Sequence, residues 1–407
     1  MRGVFYVGRV SEASVFNSAY FGRLLWSCGL AVLVAASAHL WIAERQRVIQ
    51  AVYPVEAWYT ASQIRCSETA PRWLEQLLAY AINKRGSLAN QVAYISPSGI
   101  LHHCESGWIG GTLTSPAVEV DTRFRFASLT KLMTADTVLN EIAEGRLALD
   151  QRLVDLLPEI EPNDPRVANI TINHLLRHRA GFDRLKTPDV MFTHRLKPWC
   201  PYDVEALSNI KLDFDPGTKS SYSNIGYCLL GVVLERVTGK PYRTLMEEHY
   251  SLRDRGMRFI DGPYWPDEVR YDFRNSSFYV ENYYRFFDFT ALSSSAGLSG
   301  NATQLALTLK AMRERKPLDI FNANIEDCRE AYSLDCYGFA LKIYEEPSAS
   351  LTLGVQQGAL IGMAAAAVFD SRGGVTVWLG SGMPKTDREK EKNLYTTFYK
   401  LLTDTDN

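Results

Sequence analysis

The first feature with chemical meaning is a serine and a lysine three residues apart, Ser128 and Lys131, behind the lead-in Phe126-Ala127. On a helix, residues at this spacing share one face, so the ammonium of Lys131 can reach the hydroxyl of Ser128. A serine hydroxyl is a weak nucleophile at its ordinary pKa and becomes reactive beside a base or a positive charge. The spacing therefore indicates nucleophilic catalysis, although solvated helix faces without any chemistry also show it.

A second polar pair lies farther along the chain, where Tyr222 and Asn224 are separated by one residue. The turn Pro216-Gly217 precedes the pair, and an apolar stretch at helical spacing follows it. A Tyr-x-Asn taken alone is more often a turn with a packed tyrosine. Its position after a Ser-x-x-Lys segment favours the catalytic interpretation.

With these motifs the chain resembles the penicillin-recognising serine hydrolases of the class C β-lactamase and D-alanyl-D-alanine carboxypeptidase type, a family that also contains D-aminopeptidases and esterases. Members of that family pair Ser-x-x-Lys with Tyr-x-Asn. Thr171 to Gly181 is similar to a recurrent family segment between the two motifs, and Gly145 to Asp150 is similar to the helix exit before it. The resemblance covers about residues 70 to 400. It implies an α+β fold of the β-lactamase/transpeptidase type, with a cleft between a sheet and a helical lobe.

Each residue of the two motifs has a role that its chemistry permits. Ser128, near a helix N-terminus, would attack a carbonyl to form an acyl-enzyme, and its backbone N–H would supply half of an oxyanion hole. Lys131 would lower the pKa of the Tyr222 phenol, making Tyr222 the general base and later the acid for the leaving group. Asn224 would orient Lys131 and donate to the amide carbonyl of the substrate.

A third family motif, usually Lys or His followed by Thr, Ser or Gly and then Gly, is expected on the strand that lines the cleft. Here Gln356-Gln357-Gly358 occupies that place. Gly358 allows close backbone approach, and the N–H of Ala359 could complete the oxyanion hole. Because Gln356 carries no charge, it would hold a substrate carboxylate less strongly than a cation does. This departure argues against efficient β-lactamase activity.

The N-terminus carries an uncharged apolar run, residues 24–43, which is about 20 residues long and matches the thickness of a bilayer core. Arg2, Arg9 and Arg23 precede it with only Glu12 opposing them, so the positive-inside rule places residues 1–23 in the cytoplasm. We therefore expect a single-pass anchor at 24–43 in the inner membrane, a linker at 44–69 and a hydrolase domain at 70–407 outside the cytoplasm. A cleavable signal peptide is the alternative, since Ala36-Ser37-Ala38 resembles a cleavage site.

Composition limits the partners and cofactors. The net charge of -2 with both signs dispersed leaves no basic stripe, so nucleic acid is not expected as a partner. No Cys-x-x-Cys occurs among the seven cysteines, and neither a metal nor another cofactor is expected. The cysteines after the apolar run allow many disulfide pairings, among them Cys66 with Cys104, Cys200 with Cys228, and Cys328 with Cys336.

Hydrophobic periodicity places strands near both ends of the domain and helices in its middle. The antiparallel sheet is thus expected to be flanked by N- and C-terminal helices, with a mostly helical lobe over about residues 128–320. The expected elements are a helix at 71–84, strands at 91–95, 337–344, 364–369 and 375–379, hairpin turns at 96–99 and 370–374, and a helix at 389–402.

The chain is thus predicted to be a membrane-anchored serine hydrolase that acts on an ester or an amide, for example a peptide derived from the cell wall. A carboxylesterase of the same fold is the alternative among enzymes. A catalytically inactive protein that binds cell wall or peptide, and an anchor protein whose exported domain serves assembly, are the alternatives from other classes.

Overall fold

The computed structural model describes residues 3, 13–189, 197–262, 264–274, 285, 287–315, 320, 337–346, 351–382 and 388–404. The chain divides into two compact units between Pro54 and Val55. The first unit contains helix α1 (Ala13–Ala43) and the start of helix α2 (Arg45–Ala61), which continues into the second unit. Within α1, Gly22–Ala43 is long and apolar enough to cross a membrane, and none of its residues is buried.

The second unit is built on a seven-stranded sheet in which every neighbouring pair is antiparallel. The strand order across the sheet is β1-β3-β2-β10-β9-β8-β7, so strands from the two ends of the domain meet at its centre. The strands are β1 (Arg65–Cys66), β2 (Asn90–Ile95), β3 (Leu101–Ser106), β7 (Lys342–Glu345), β8 (Thr352–Leu360), β9 (Met363–Asp370) and β10 (Val375–Ser381).

Helices cover both faces of this sheet because its strands alternate apolar side chains between the faces. On strands β2, β9 and β10 the even-numbered residues, such as Val92 and Trp378, join α3 (Arg72–Arg85) and α12 (Arg388–Thr403) in one core, to which β8 contributes odd-numbered residues. The odd-numbered residues of β2, β9 and β10 face a second core, which contains α11 (Ala302–Glu314) and the helical lobe. The sheet is therefore the middle of three layers.

The helical lobe lies between β3 and α11 along the chain. It also contains a small three-stranded sheet of order β4-β6-β5. Beside this sheet Arg125 donates from Nε to Oε1 of Glu268 at 2.7 Å, with both side chains fully buried. The elements are β4 (Phe124–Arg125), α4 (Thr130–Ala143), α5 (Leu153–Leu156), α6 (Ile172–Leu176), α7 (Trp199–Tyr202), α8 (Asn224–Thr238), α9 (Tyr242–Tyr250), β5 (Arg258–Phe259), α10 (Ser293–Ala296) and β6 (Leu298–Gly300).

The expected fold class, with terminal helices flanking an antiparallel sheet and a mostly helical lobe, is confirmed. Two details differ from the expectation. The stretch expected as a linker, 44–69, contains α2 and β1, and Ala57 and Thr60 of α2 are buried. The stretch expected as the lobe, about 128–320, includes α11, which packs mainly against β2 and β10 and thus covers the sheet.

Two of the three disulfide pairs considered from the sequence are present. Cys66–Cys104 joins neighbouring strands β1 and β3, and Cys200–Cys228 joins α7 to α8. The third pair, Cys328 with Cys336, falls outside the described residues. Cys28, in the first unit, is a free and exposed thiol.

Candidate active site

Ser128 lies at a sharp turn between a strand and a helix. Strand β4 ends at Arg125, a 3-10 turn runs from Ala127 to Leu129, and α4 begins at Thr130. Ala127 has a φ of 47°, in the left-handed region that residues with a Cβ seldom occupy. Such strain persists only where the surroundings enforce it, and here it turns the chain directly before the serine. Ser128 stays partly accessible while its neighbours are buried.

Lys131 is completely buried behind Ser128. Its Nζ donates to Asn224 Oδ1 at 2.7 Å and to the carbonyl oxygen of Ser295 at 2.8 Å, and it lies 3.4 Å from Ser128 Oγ. The first two partners can only accept hydrogen bonds. They fix two N–H directions of the amine, so the remaining direction points towards the serine oxygen.

Burial sets the charge state of this amine. Removal from water lowers the pKa of Lys131 from 10.5 to about 7, with Asp189 raising it and Arg184 lowering it further. A large part of the lysine is therefore neutral near pH 7. The lone pair of the neutral amine then faces Ser128 Oγ.

Tyr222 reaches the same serine from the other side. It precedes α8, whose N-terminus is capped by the side chain of Ser223. Its Oη lies 2.6 Å from Ser128 Oγ, and the ring of the buried His178 packs against its ring with centroids 4.6 Å apart. His178 thus supports the ring of Tyr222.

The expectation that Lys131 lowers the pKa of Tyr222 is wrong. Burial is the main cause acting on this phenol, and it raises the pKa of Tyr222 well above 10, outweighing the hydrogen bond from Ser128. The Lys131 Nζ faces the ring, 4.9 Å from its centroid. Tyr222 is therefore a phenol at neutral pH, and of the two groups beside Ser128 it is the Lys131 amine whose pKa lies near 7.

Asn224 accepts a hydrogen bond from Lys131 and also contacts a carboxylate through its amide nitrogen. Its Nδ2 donates to Asp189 Oδ2 at 2.7 Å. Exchanging its oxygen and nitrogen would set an NH2 against the lysine and an oxygen against the carboxylate, so the two neighbours fix the orientation. Because the NH2 of asparagine carries two hydrogens and Asp189 accepts one of them, the expected donation from Asn224 to a substrate carbonyl stays a prediction.

Strand β8 passes close to Ser128, as its motif suggests. The Gln356 amide donates to the carbonyl of Ser128 at 3.1 Å, so it holds the turn that carries Ser128, and its expected contact with a substrate stays a prediction. A Cβ added at Gly358 would stand 2.6 Å from the carbonyl oxygen of Phe126, which explains why only glycine fits there. Ala359, the next residue, is exposed.

Known proteins share both sequence and fold with this chain. A family model described as Beta-lactamase matches residues 80–251. The chain is 41% identical over 371 residues to "Putative fimbrial assembly protein FimD, serogroup D" of Dichelobacter nodosus. The aligned region covers 90% of this chain and 94% of that protein. It is 32% identical over 216 residues to esterase EstB of Burkholderia gladioli, covering 48% and 54% of the two chains. The chain belongs to the β-lactamase family of serine hydrolases.

The fold of this β-lactamase-family chain is also found in solved structures. A D-amino acid amidase from Ochrobactrum anthropi SV3, in complex with L-phenylalanine, superimposes with a TM-score of 0.63 at 19% identity. The match covers 83% of this chain and 98% of the amidase. At that identity the likeness concerns the fold alone.

Three groups of this β-lactamase-family site were not predicted from the sequence. Asp189 and Arg184 come from the loop after α6, and the Ser295 carbonyl comes from α10. Nothing local distinguishes an aspartate and an arginine in a polar loop, and any residue carries a carbonyl. The one usable signal was position, since both charged side chains follow the family-like segment that ends at Gly181.

Proposed function

We propose that this chain is a membrane-anchored serine hydrolase that forms an acyl-enzyme at Ser128 on an ester or amide substrate. The observation that carries the proposal is the geometry at Lys131, whose two fixed acceptors leave the third direction of the amine for Ser128 Oγ. A pKa of about 7 makes that amine available as a base near neutral pH.

The proposed reaction uses three side chains. Ser128 Oγ bonds to the acyl carbon while its proton moves to Lys131 Nζ. The tetrahedral intermediate then loses its leaving group, which takes the proton of the Tyr222 phenol, and the proton on Lys131 restores the phenol. The backbone N–H groups of Ser128 and Ala359 would bind the oxyanion, with Gly358 allowing the close approach of β8. Water or an amine then removes the acyl group from Ser128.

The substrate class rests on the relatives and on the site together. The names of the sequence relatives include an esterase and a D-alanyl-D-alanine-carboxypeptidase/endopeptidase, which agrees with a serine that accepts acyl groups from oxygen or nitrogen. A cell-wall-derived peptide fits this chemistry, and a simple carboxylic ester is the alternative substrate. Because β8 presents Gln356 where a cation would be expected, we expect poor turnover of β-lactams.

The location follows from the helix at the N-terminus. Gly22–Ala43 would anchor the chain in the inner membrane, and the unit from Val55 onwards would lie outside the cytoplasm. The two disulfides support an oxidising compartment. Mass spectrometry of the N-terminal peptide of the purified protein separates an anchor from a signal peptide, because cleavage after Ala38 would remove residues 1–38 and with them most of the apolar run.

The proposal is tested by reaction of the full-length protein, in detergent, with a fluorophosphonate. We expect one covalent adduct, none in Ser128→Ala, and an unchanged adduct in Ser221→Ala, a hydroxyl next to Tyr222 that Lys131 does not contact. A folded protein without an adduct would overturn the hydrolase proposal and favour a protein that only binds peptide or cell wall.

A role in fimbrial assembly is the second candidate, favoured by the 41% identity to FimD of Dichelobacter nodosus. In the organism that carries this chain, fimbriae would be counted by electron microscopy after deletion of the gene and after Ser128→Ala. Loss in both strains would tie assembly to hydrolysis. Loss in the deletion alone would assign a structural role, and fimbriae in both strains would exclude the assembly role.

A further inference from the structure

A cation of the helical lobe lies beside the proposed acid, Tyr222. The guanidinium carbon of Arg184 is 5.4 Å from the centroid of the Tyr222 ring. Arg184 belongs to a turn that Asp213 braces, since Asp213 Oδ2 accepts from the backbone N–H of Asp183 at 2.8 Å and from Oγ1 of Thr187 at 2.7 Å. The backbone that carries the guanidinium is therefore fixed, while the side chain itself is exposed.

The charge of Arg184 is not neutralised within the part of the chain that the structure describes. No carboxylate there forms an ion pair with it, and the nearby Asp189 accepts a hydrogen bond from Asn224. Its charge does reach the site, because Arg184 lowers the pKa of Lys131. A guanidinium with unused donors beside a reacting group is suited to bind a planar carboxylate through two hydrogen bonds.

The contact with Tyr222 shows on which side of Ser128 Arg184 lies. Tyr222 is the group that would protonate the leaving atom, so a cation against its ring lies where the leaving group must pass. The opposite neighbour of Ser128, strand β8, presents the uncharged Gln356. The geometry points to Arg184 as the residue that binds a carboxylate on the leaving group of the substrate. Strand β8 carries no cation that could bind this carboxylate instead. This inference rests on the proposed hydrolase function and narrows its substrates to esters or amides whose leaving group is anionic.

Three aryl acetates whose leaving groups carry a negative charge, no charge and a positive charge test the inference. They are 3-acetoxybenzoate, its neutral methyl ester and the cationic 3-acetoxy-N,N,N-trimethylanilinium. Acetylation of Ser128 in the full-length protein is followed by intact mass, which detects acylation even where turnover is slow. We expect the wild type to prefer the carboxylate ester over both others.

The variants are Arg184→Ala, Arg184→Lys and, as the matched control on the same turn, the exposed Lys186→Ala. Arg184→Ala should reduce the ratio of the carboxylate ester to the neutral ester about tenfold in kcat/KM, as loss of a partly exposed charge-assisted contact predicts. Arg184→Lys should recover part of the ratio, because an ammonium keeps the charge without the planar fork. Lys186→Ala should leave the ratio unchanged.

The ratio of kcat/KM for the carboxylate ester to kcat/KM for the neutral ester is independent of any general effect of Arg184 on Lys131, since such an effect acts equally on all three esters. If Arg184→Ala lowers kcat/KM by the same factor for all three esters, the inference is overturned. A wild-type preference for the cationic ester would also overturn it and would assign recognition of an amine to Asp189. Failure of the hydrolase proposal is a separate result, in which a fluorophosphonate leaves Ser128 of the wild type unmodified.

Discussion

The pH dependence of Ser128 acylation tests the assignment of the base. With a pKa of about 7, Lys131 is about half neutral at pH 7, whereas a lysine at 10.5 would be neutral in roughly one molecule in three thousand. Burial thus increases the reactive form on the order of a thousandfold. Because the neutral amine is the base, the acylation rate should rise with pH through a midpoint near 7, and it should fall about fiftyfold between pH 7 and pH 5.

The assay is the single-turnover rate of labelling by a fluorophosphonate between pH 5 and pH 9. Two substitutions shift the midpoint in opposite directions if the reasoning holds. Asp189→Asn removes a charge that raises the pKa of Lys131, so the midpoint should fall, and Arg184→Ala removes a charge that lowers it, so the midpoint should rise. A flat profile, a midpoint near 10, or an upward shift in Asp189→Asn would refute Lys131 as the base.

The remaining predictions concern the supports of the site. In Gly358→Ala a methyl group would stand 2.6 Å from a backbone carbonyl, so labelling should slow at least about tenfold and the free energy of unfolding should fall by about 1–3 kcal/mol, both measurable on the purified variant. Arg125→Met should destabilise the protein by about 3–5 kcal/mol in urea, because it leaves the carboxylate of Glu268 buried without the guanidinium of its ion pair. The double variant with Glu268→Met should recover much of that loss, and a double variant no more stable than the single one would contradict this. Replacing Cys200 and Cys228 by serine should cost about 3–4 kcal/mol, since their bond closes a loop with a sequence separation of 28 residues, and unchanged thermal unfolding would argue against that bond.

Local patterns were sufficient for much of the fold. The apolar face that includes Trp73 and Leu77 predicted α3, and the helix indeed ends at Gly86 in the left-handed conformation that suits a glycine there. Alternating residues and turn signals located β2, β9, β10 and their hairpins. The placement of α11 was not predicted, because an amphipathic helix fits the lobe and the sheet equally well by its own sequence.

The candidate site could be predicted in its members but only partly in its interactions. Ser128, Lys131, Tyr222 and Asn224 do converge, as their motifs suggested. The charge states of Lys131 and Tyr222 could not be predicted, because burial dominates both pKa values and depends on residues distant in sequence. The strained φ of Ala127 was equally hidden, since alanine carries no signal for the left-handed region.

The most direct test of the account is detection of the acyl-enzyme with a real acyl donor. The full-length protein is mixed with an aryl acetate, quenched in acid and mapped by peptide mass spectrometry. The account predicts a single acetyl group on the peptide that contains Ser128, which disappears in Ser128→Ala. An acetyl group on a different residue, or rapid ester turnover that persists in Ser128→Ala, would contradict it.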